Sequence, residues 1–132
     1  MRRLLAAAAT LVFAVPAAHA APNPFFRTPS GNIQCAYYGS LRCDIRSGLK
    51  PKPARPAGCD FDWGQTLVLG RSGGARVGCV SDSVFDPRAR VLAYGTSWRR
   101  GGITCVSKRT GLLCFNARNH GFFLSRARSY RF

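Results

Sequence analysis

The sequence contains one pattern twice, as GNIQCAYYGSLRCDI at residues 31–45 and as GITCVSKRTGLLCFN at residues 102–116. In each copy an apolar residue lies two positions before a cysteine, a glycine-bearing turn follows, and a second cysteine closes the pattern. Directly opposed residues of an antiparallel ladder have Cα atoms about 4.5 to 5.5 Å apart, which suits a disulfide. The pattern is therefore typical of a β-hairpin with a bridge across it.

The loops set the register of each hairpin. A three-residue loop at 38–40 and a four-residue loop at 108–111 place the two cysteines of each copy directly opposite each other. Six cysteines permit fifteen pairings, and these two bridges leave the remaining two cysteines for each other. We therefore predict three disulfides between sequence neighbours, namely Cys35–Cys43, Cys59–Cys79 and Cys105–Cys114.

The first twenty residues have the pattern of a secretory signal peptide. A short basic start precedes an apolar run of twelve residues, Leu4 to Val15, and small residues stand at the expected cleavage site. Twelve apolar residues are too few to span a bilayer as a helix. We expect cleavage after Ala20, no integral membrane segment in the mature chain, and a secreted or periplasmic location, where disulfides persist.

The 112 residues that remain are enough for one domain with one modest core. Residues 21–30, which contain three prolines, are expected to form an extended, poorly ordered lead, with docking of Phe25 and Phe26 on the core as the alternative, and residues 31–132 the disulfide-stapled domain. Runs at 65–69 and 75–80 flank a glycine-rich loop and predict another hairpin, with Leu69 opposite Ala75. The predicted fold class is mainly β, a small single domain of antiparallel hairpins.

The sequence of two segments does not specify one type of secondary structure clearly. In residues 86–95, Asp86, Pro87 and Gly95 are typical of helix boundaries, but the stretch between them is short, so we favour a strand from Arg90 to Tyr94. The tail, residues 126–132, is expected to add a short helical turn.

The charge balance is strongly basic. The mature chain has 18 Lys and Arg against five Asp and no Glu, a net charge of +13. Such a charge favours attraction to polyanions, although it would equally keep a small protein soluble. The basic residues are spread along the chain, without the compact run that is typical of a nucleic-acid-binding arm.

Aromatic and basic residues alternate in residues 98–102 and 121–126, and stacking combined with charge is how proteins hold single strands and acidic glycans. The candidate binding residues are Trp98, Arg99, Arg100, Arg118, Arg126 and Arg128. The alternative is that Phe122 or Phe123 fills the core instead.

Candidates for catalysis are few. His120 is the only histidine after processing and is a weak candidate for a general base. Asp44, Asp82 and Asp86 provide carboxylates that either act in acid–base pairs or bind arginine and cap turns. One histidine, no glutamate and no free cysteine do not supply the ligands of a catalytic zinc site, so we expect no metal and no cofactor.

Several motifs together resemble a family of small exported bacterial proteins known only as a domain of unknown function. They are TPSGNIQC at 28–35, LRCDI at 41–45, DWG at 62–64, the dipeptide at 94–95, the segment from Cys105 to Asn116, and HGFFLSR at 120–126. The resemblance covers nearly all of the mature chain and implies no activity.

The composition favours a secreted, non-enzymatic binding module for anionic envelope or extracellular polymers. Two alternatives stay open: a secreted protein–protein interaction factor whose charge is incidental, and a small hydrolase that uses His120.

Overall fold

The computed structural model describes residues 9–16 and 23–132. Most of the predicted signal peptide and its cleavage site after Ala20 lie outside the described residues, so both stay predictions. Residues 9–16 have no regular secondary structure, and Leu11, Val12 and Phe13 are exposed there. The described chain contains strands and no helix, and so no helix with the length and apolar character to cross a membrane.

The first sheet has six strands in the order β5-β4-β3-β2-β1-β6. These are β1 (Phe25–Arg27), β2 (Ile33–Tyr37), β3 (Leu41–Ile45), β4 (Thr66–Leu69), β5 (Arg76–Val77) and β6 (Arg90–Val91). Strands β1 to β5 form an antiparallel meander, in which each strand pairs with the next along the chain. Strand β6 then pairs with β1 in parallel.

The second sheet has five strands in the order β11-β10-β9-β8-β7. These are β7 (Ser97–Arg100), β8 (Ile103–Lys108), β9 (Gly111–Asn116), β10 (Gly121–Leu124) and β11 (Ser129–Arg131). They also form an antiparallel meander. The two sheets therefore share one layout, in which the disulfide hairpin supplies the second and third strands.

The predicted hairpins and disulfides are confirmed, and with them the mainly β fold class. Cys35 lies opposite Cys43 and Cys105 lies opposite Cys114, each pair with Cα atoms 4.1 Å apart. The loop at 108–111 is shorter than predicted, because Lys108 and Gly111 pair with each other and leave two loop residues. The register is unchanged, since each strand gains one residue.

The middle hairpin has the predicted register. Leu67 lies opposite Val77 and Val68 opposite Arg76. The third bridge, Cys59–Cys79, joins Cα atoms 5.8 Å apart and fastens the segment before β4 to the end of this hairpin. The paired strands are short because β5 contains only two residues.

The core lies between the two sheets, and its centre repeats one arrangement. Phe26 lies opposite Cys35 in the first sheet, and Trp98 lies opposite Cys105 in the second. The two aromatic rings meet across the core with centroids 5.1 Å apart. All of these side chains are buried, and burial of such large rings dominates the energetics of a small core.

Three other expectations need correction. Residues 25–27, which the sequence places in the poorly ordered lead, form β1, and the buried Phe26 side chain fixes that strand. The predicted strand at 90–94 is shortened to Arg90–Val91, because the chain turns at residues 93–96. The tail does not form a helical turn; Ser129–Arg131 pairs with β10 as strand β11.

Candidate functional site

Acidic residues are confined to the half of the chain that forms the first sheet. Residues 23–88 contain nine Lys and Arg together with all five Asp, whereas residues 89–132 contain nine Lys and Arg and no Asp or Glu. Strands β7 to β11 all lie in the second of these segments. The second sheet is therefore the more basic part of the molecule.

The outer face of the first sheet is covered by residues 81–89, which we call the covering loop. Asp44 is buried under it, and its carboxylate accepts hydrogen bonds of 2.7 to 3.0 Å from Arg42, Thr66 and the backbone N–H of Val84. Arg42 also bonds the exposed carboxylate of Asp82 at 2.9 Å. This hydrogen bond holds the pKa of Asp82 below its ordinary value of 3.8.

Asp86 fixes the second half of the covering loop. Its backbone N–H donates to Oε1 of the buried Gln34 at 2.8 Å, and its carboxylate accepts from the backbone N–H of Arg88 at 2.9 Å. That backbone bond and the Arg88 side chain lower the pKa of Asp86. The interpretation in which the aspartates bind arginine and cap turns is confirmed for Asp44, Asp82 and Asp86.

The outer face of the second sheet has a different composition. Side chains alternate between the faces of a strand, and Cys105, Cys114 and Phe122 point into the core. The register then places two rows on the outer face, Val106, Leu113, Phe123 and Tyr130 in one and Thr104, Phe115, Gly121 and Phe132 in the other. This face is mostly apolar.

Aromatic rings are the most exposed part of this outer face. The Tyr130 ring stacks on Phe123 with centroids 5.3 Å apart, and Phe132 lies 6.2 Å from Tyr130. Tyr130 and Phe132 keep 45% and 47% of their surface exposed. The guanidinium of Arg128 lies 5.6 Å from the centre of the Tyr130 ring and 5.8 Å from that of Phe123. Rings and a cation are therefore presented to solvent together.

The predicted binding residues do not form one continuous surface in the structure. Trp98 is buried, with its indole N–H bonded to the carbonyl of Asn23 at 2.8 Å, so its ring is not available to a ligand. Arg99 is exposed, and Arg100 is half-buried with its guanidinium 5.6 Å from the Tyr37 ring. Both line a cavity of about 430 Å³ beside the 101–102 turn.

The other predicted arginines lie elsewhere on the second sheet. Arg118 is exposed in the turn between β9 and β10, and Arg126 lines a separate cavity of about 290 Å³. Of the two phenylalanines, Phe122 is fully buried in the core, which agrees with the core alternative, whereas Phe123 lies on the outer face against Tyr130. Tyr130 and Phe132 are not among the predicted binding residues, although their alternate spacing in the tail is itself typical of a strand.

His120 stands at the tip of an exposed turn. Its backbone N–H donates to Asn116 Oδ1 at 3.2 Å, while its imidazole makes no hydrogen bond or ion pair in the part of the chain that the structure describes. A general base needs a position and an orienting partner, and neither is formed here. Residues 9–16 and 23–132 also contain no group of three or more His, Cys, Asp or Glu arranged to hold a metal ion.

Comparison with known proteins adds one finding. Neither a curated protein nor a solved structure matches the chain. The sequence profile of a family of unknown function, DUF6636, matches residues 7–132, which is nearly the whole chain and includes every strand described above. The motif-based resemblance to an uncharacterised domain is thereby confirmed, and the chain belongs to the DUF6636 family.

Proposed function

We propose that the protein is a binding module for anionic polymers of the cell envelope or the extracellular space. The observation that carries the proposal is the outer face of the second sheet, where exposed aromatic rings lie among arginines and lysines in a segment without acidic residues. Anionic polymers combine repeated negative charge with sugar or base surfaces, and this face complements both features.

Charge provides the long-range part of the attraction. The five Asp all precede β6, and Asp44 and Asp82 are paired with Arg42 and Asp86 with Arg88. Residues 97–132, which form the second sheet, contain eight Lys and Arg and no Asp or Glu. Polyanion binding through such cations releases counterions, so affinity should fall steeply as salt rises.

The exposed rings provide a contact that charge alone does not. Tyr130 is held in place by its stack on Phe123 and by the flanking Arg128. A ring that is already ordered loses little conformational entropy when a ligand stacks on it. Stacking contacts of this kind contribute about 1 to 3 kcal/mol per base in single-strand binders.

The covalent structure and the sequence together support an exported location. All six cysteines are paired, which indicates an oxidising compartment such as the periplasm or the extracellular space. The pattern of residues 1–20 supports export with cleavage after Ala20. At that location the protein would encounter the anionic polymers of the envelope.

Retention on heparin and phosphate columns tests the proposal. The oxidised protein without residues 1–20 should elute only at high salt, and Arg99→Gln/Arg128→Gln should elute earlier than the wild type. The matched control, Arg46→Gln/Arg55→Gln, removes the same charge from exposed residues that precede β4 in the segment of the first sheet. Elution of the wild type at low salt, or equal shifts for the two variants, would contradict the proposed surface.

A protein partner is the second candidate, and one observation favours it. A groove of about 500 Å³ opens where edge strands β5 and β11 approach each other, lined by Leu49, Pro51, Val77 and Phe132 among others. An extended apolar segment of a partner could lie there along an unpaired strand edge. Capture of such a partner from envelope extract should survive high salt, unlike polyanion binding.

A further inference from the structure

We propose that the cavity of about 290 Å³ beside Lys108, Arg109 and Arg126 binds one phosphate or sulfate ester group of the polymer. The inference rests on the proposed function and makes it specific, because it names the chemical group that the module selects. The cavity lies at the end of β8, where Lys108 follows the outward-facing Thr104 and Val106 along the strand. It therefore adjoins the outer face of the second sheet at Lys108, and residues 28–33 of the first sheet line its other side.

Several turns form the walls of this cavity, and hydrogen bonds fix each of them. Gly31 N–H donates to the carbonyl of Thr28 at 2.9 Å, and the Thr28 hydroxyl accepts from the N–H of Ile33 at 3.2 Å. On the opposite side, Ser125 N–H donates to the carbonyl of Arg128 at 3.0 Å, and Ser125 Oγ accepts from Arg128 N–H at 3.0 Å. Arg126 is thus carried on a fixed turn.

A glycine allows the hairpin tip at 109–110 to lie close to this turn. Gly111 has a φ of +153°, and a Cβ there would lie 2.4 Å from the carbonyl oxygen of Leu124. Only glycine permits this approach without a shift of the backbone. The β9–β10 pairing, which this glycine permits, places Lys108 and Arg109 near the turn that carries Arg126, so these three residues line one cavity before any ligand arrives.

The cations of this cavity lack acidic partners. None of the residues that line it is acidic. In the described chain the ion pairs involve Arg42 and Arg88, and neither Lys108, Arg109 nor Arg126 takes part in one. The Arg109 guanidinium instead lies 5.1 Å from the centre of the Tyr94 ring, which restrains it at the rim. Uncompensated cations in a preformed concave site favour an anion.

The number of donors favours a phosphate or sulfate ester over a lone carboxylate. Lys108, Arg109, Thr110 and Arg126 all line the cavity, and between them they carry two guanidinium groups, one ammonium group and one hydroxyl. A carboxylate offers two oxygens, whereas an ester of phosphate or sulfate offers three terminal oxygens that accept charge-assisted hydrogen bonds. The cavity is at the lower end of the usual range for small-molecule sites, about 300 to 1,000 Å³, and so fits a single group of the polymer.

Binding of three polymers by paired variants tests this inference. Dextran phosphate and dextran sulfate carry phosphate and sulfate monoesters, each with three terminal oxygens, and polygalacturonate carries only carboxylates. We expect Lys108→Gln/Arg126→Gln to lower the affinity for dextran phosphate, dextran sulfate or both by about tenfold or more, because charge-assisted hydrogen bonds are lost. Arg99→Gln/Arg118→Gln removes the same charge from the same sheet outside the cavity and should lower it only about two- to threefold.

The charge-retaining variant Lys108→Arg/Arg126→Lys should bind like the wild type, and unfolding midpoints should confirm that all variants are folded. The polymer whose binding falls identifies the ester. Equal losses for the two Gln variants would overturn the cavity site while leaving the basic surface in place. An equal tenfold loss for polygalacturonate would overturn the selectivity for esters. A wild type that binds none of the polymers would overturn the proposed function as well.

Discussion

The two sheets place different side chains at equivalent positions beside their central disulfides. The residue after the second cysteine is the buried Asp44 in the first sheet and Phe115 in the second. Two positions before Asp44 and Phe115 are Arg42 in the first sheet and Leu113 in the second. In the first sheet this polar pair binds the covering loop, whereas the second sheet has no polar groups there and its outer face stays open. One hairpin pattern thus supports an anchored face and an exposed face.

The largest expected effect concerns the anchored face. Asp44→Ala leaves Arg42, Thr66 and the N–H of Val84 without their acceptor, and loss of one partner from a buried ion pair costs about 3 to 5 kcal/mol. Phe115→Thr at the equivalent position should cost about 1 kcal/mol or less. Urea denaturation measures both free energies of unfolding, and equal losses would remove the distinction between the faces.

Removal of a disulfide should have the next largest effect on the free energy of unfolding. The loss should be similar for the two sheets. Cys35→Ala/Cys43→Ala and Cys105→Ala/Cys114→Ala each open a loop of similar length, with sequence separations of 8 and 9. The chain-entropy estimate for such loops is about 2 to 3 kcal/mol each. Chemical denaturation under non-reducing conditions gives the losses. If either variant had the same free energy of unfolding as the wild type, its disulfide would not stabilise the protein.

Removal of exposed aromatic rings should affect binding on the second sheet alone. Tyr130→Ala is expected to weaken heparin binding by about 1 kcal/mol, or roughly fivefold, because a stacking surface is lost. Tyr38→Ala is the matched control, since Tyr38 is an exposed ring on the β2–β3 loop of the first sheet. Titration calorimetry at fixed salt measures both. A similar loss for Tyr38→Ala would indicate that ring position is irrelevant.

The smallest expected effect is that of low pH, which should loosen the covering loop of the first sheet but not the second sheet. The pKa values of Asp82 and Asp86 lie below the ordinary 3.8 in the folded protein. Their stabilising contribution is therefore present above about pH 4 and is lost as the pH falls through the folded-state values. Hydrogen exchange below pH 4 should show faster opening of the covering loop, while β8 and β9 stay protected. Opening of β8 first would contradict this expectation.

The sequence predicted local pairings well because neighbouring residues determine them. The cysteine spacing and the glycine turns specified the register of both disulfide hairpins, and the alternation around residues 70–74 specified that of the middle one. These signals all lie within about twenty residues. They were sufficient for the fold class and for the three bridges.

What the sequence did not reveal depends on contacts between distant residues. Trp98 was assigned to the binding surface because arginines follow it, but its register opposite Cys105 and its contact with Phe26 bury it. The covering loop depends on Gln34 and Asp44, more than 35 residues away from it. The cavity at Lys108 and Arg126 needs turns from three parts of the chain, which no local pattern can bring together.

None of the three disulfides joins the two sheets, since Cys35–Cys43 and Cys59–Cys79 lie before β6 and Cys105–Cys114 lies after β7. The chain crosses between the halves through exposed residues 93–97. A single proteolytic cut there would yield two separately cross-linked fragments held together by core packing and by hydrogen bonds such as that from the Trp98 indole to Asn23. The protein is thus naturally suited to fragment complementation, in which each half could be exchanged or labelled before the pair is reassembled.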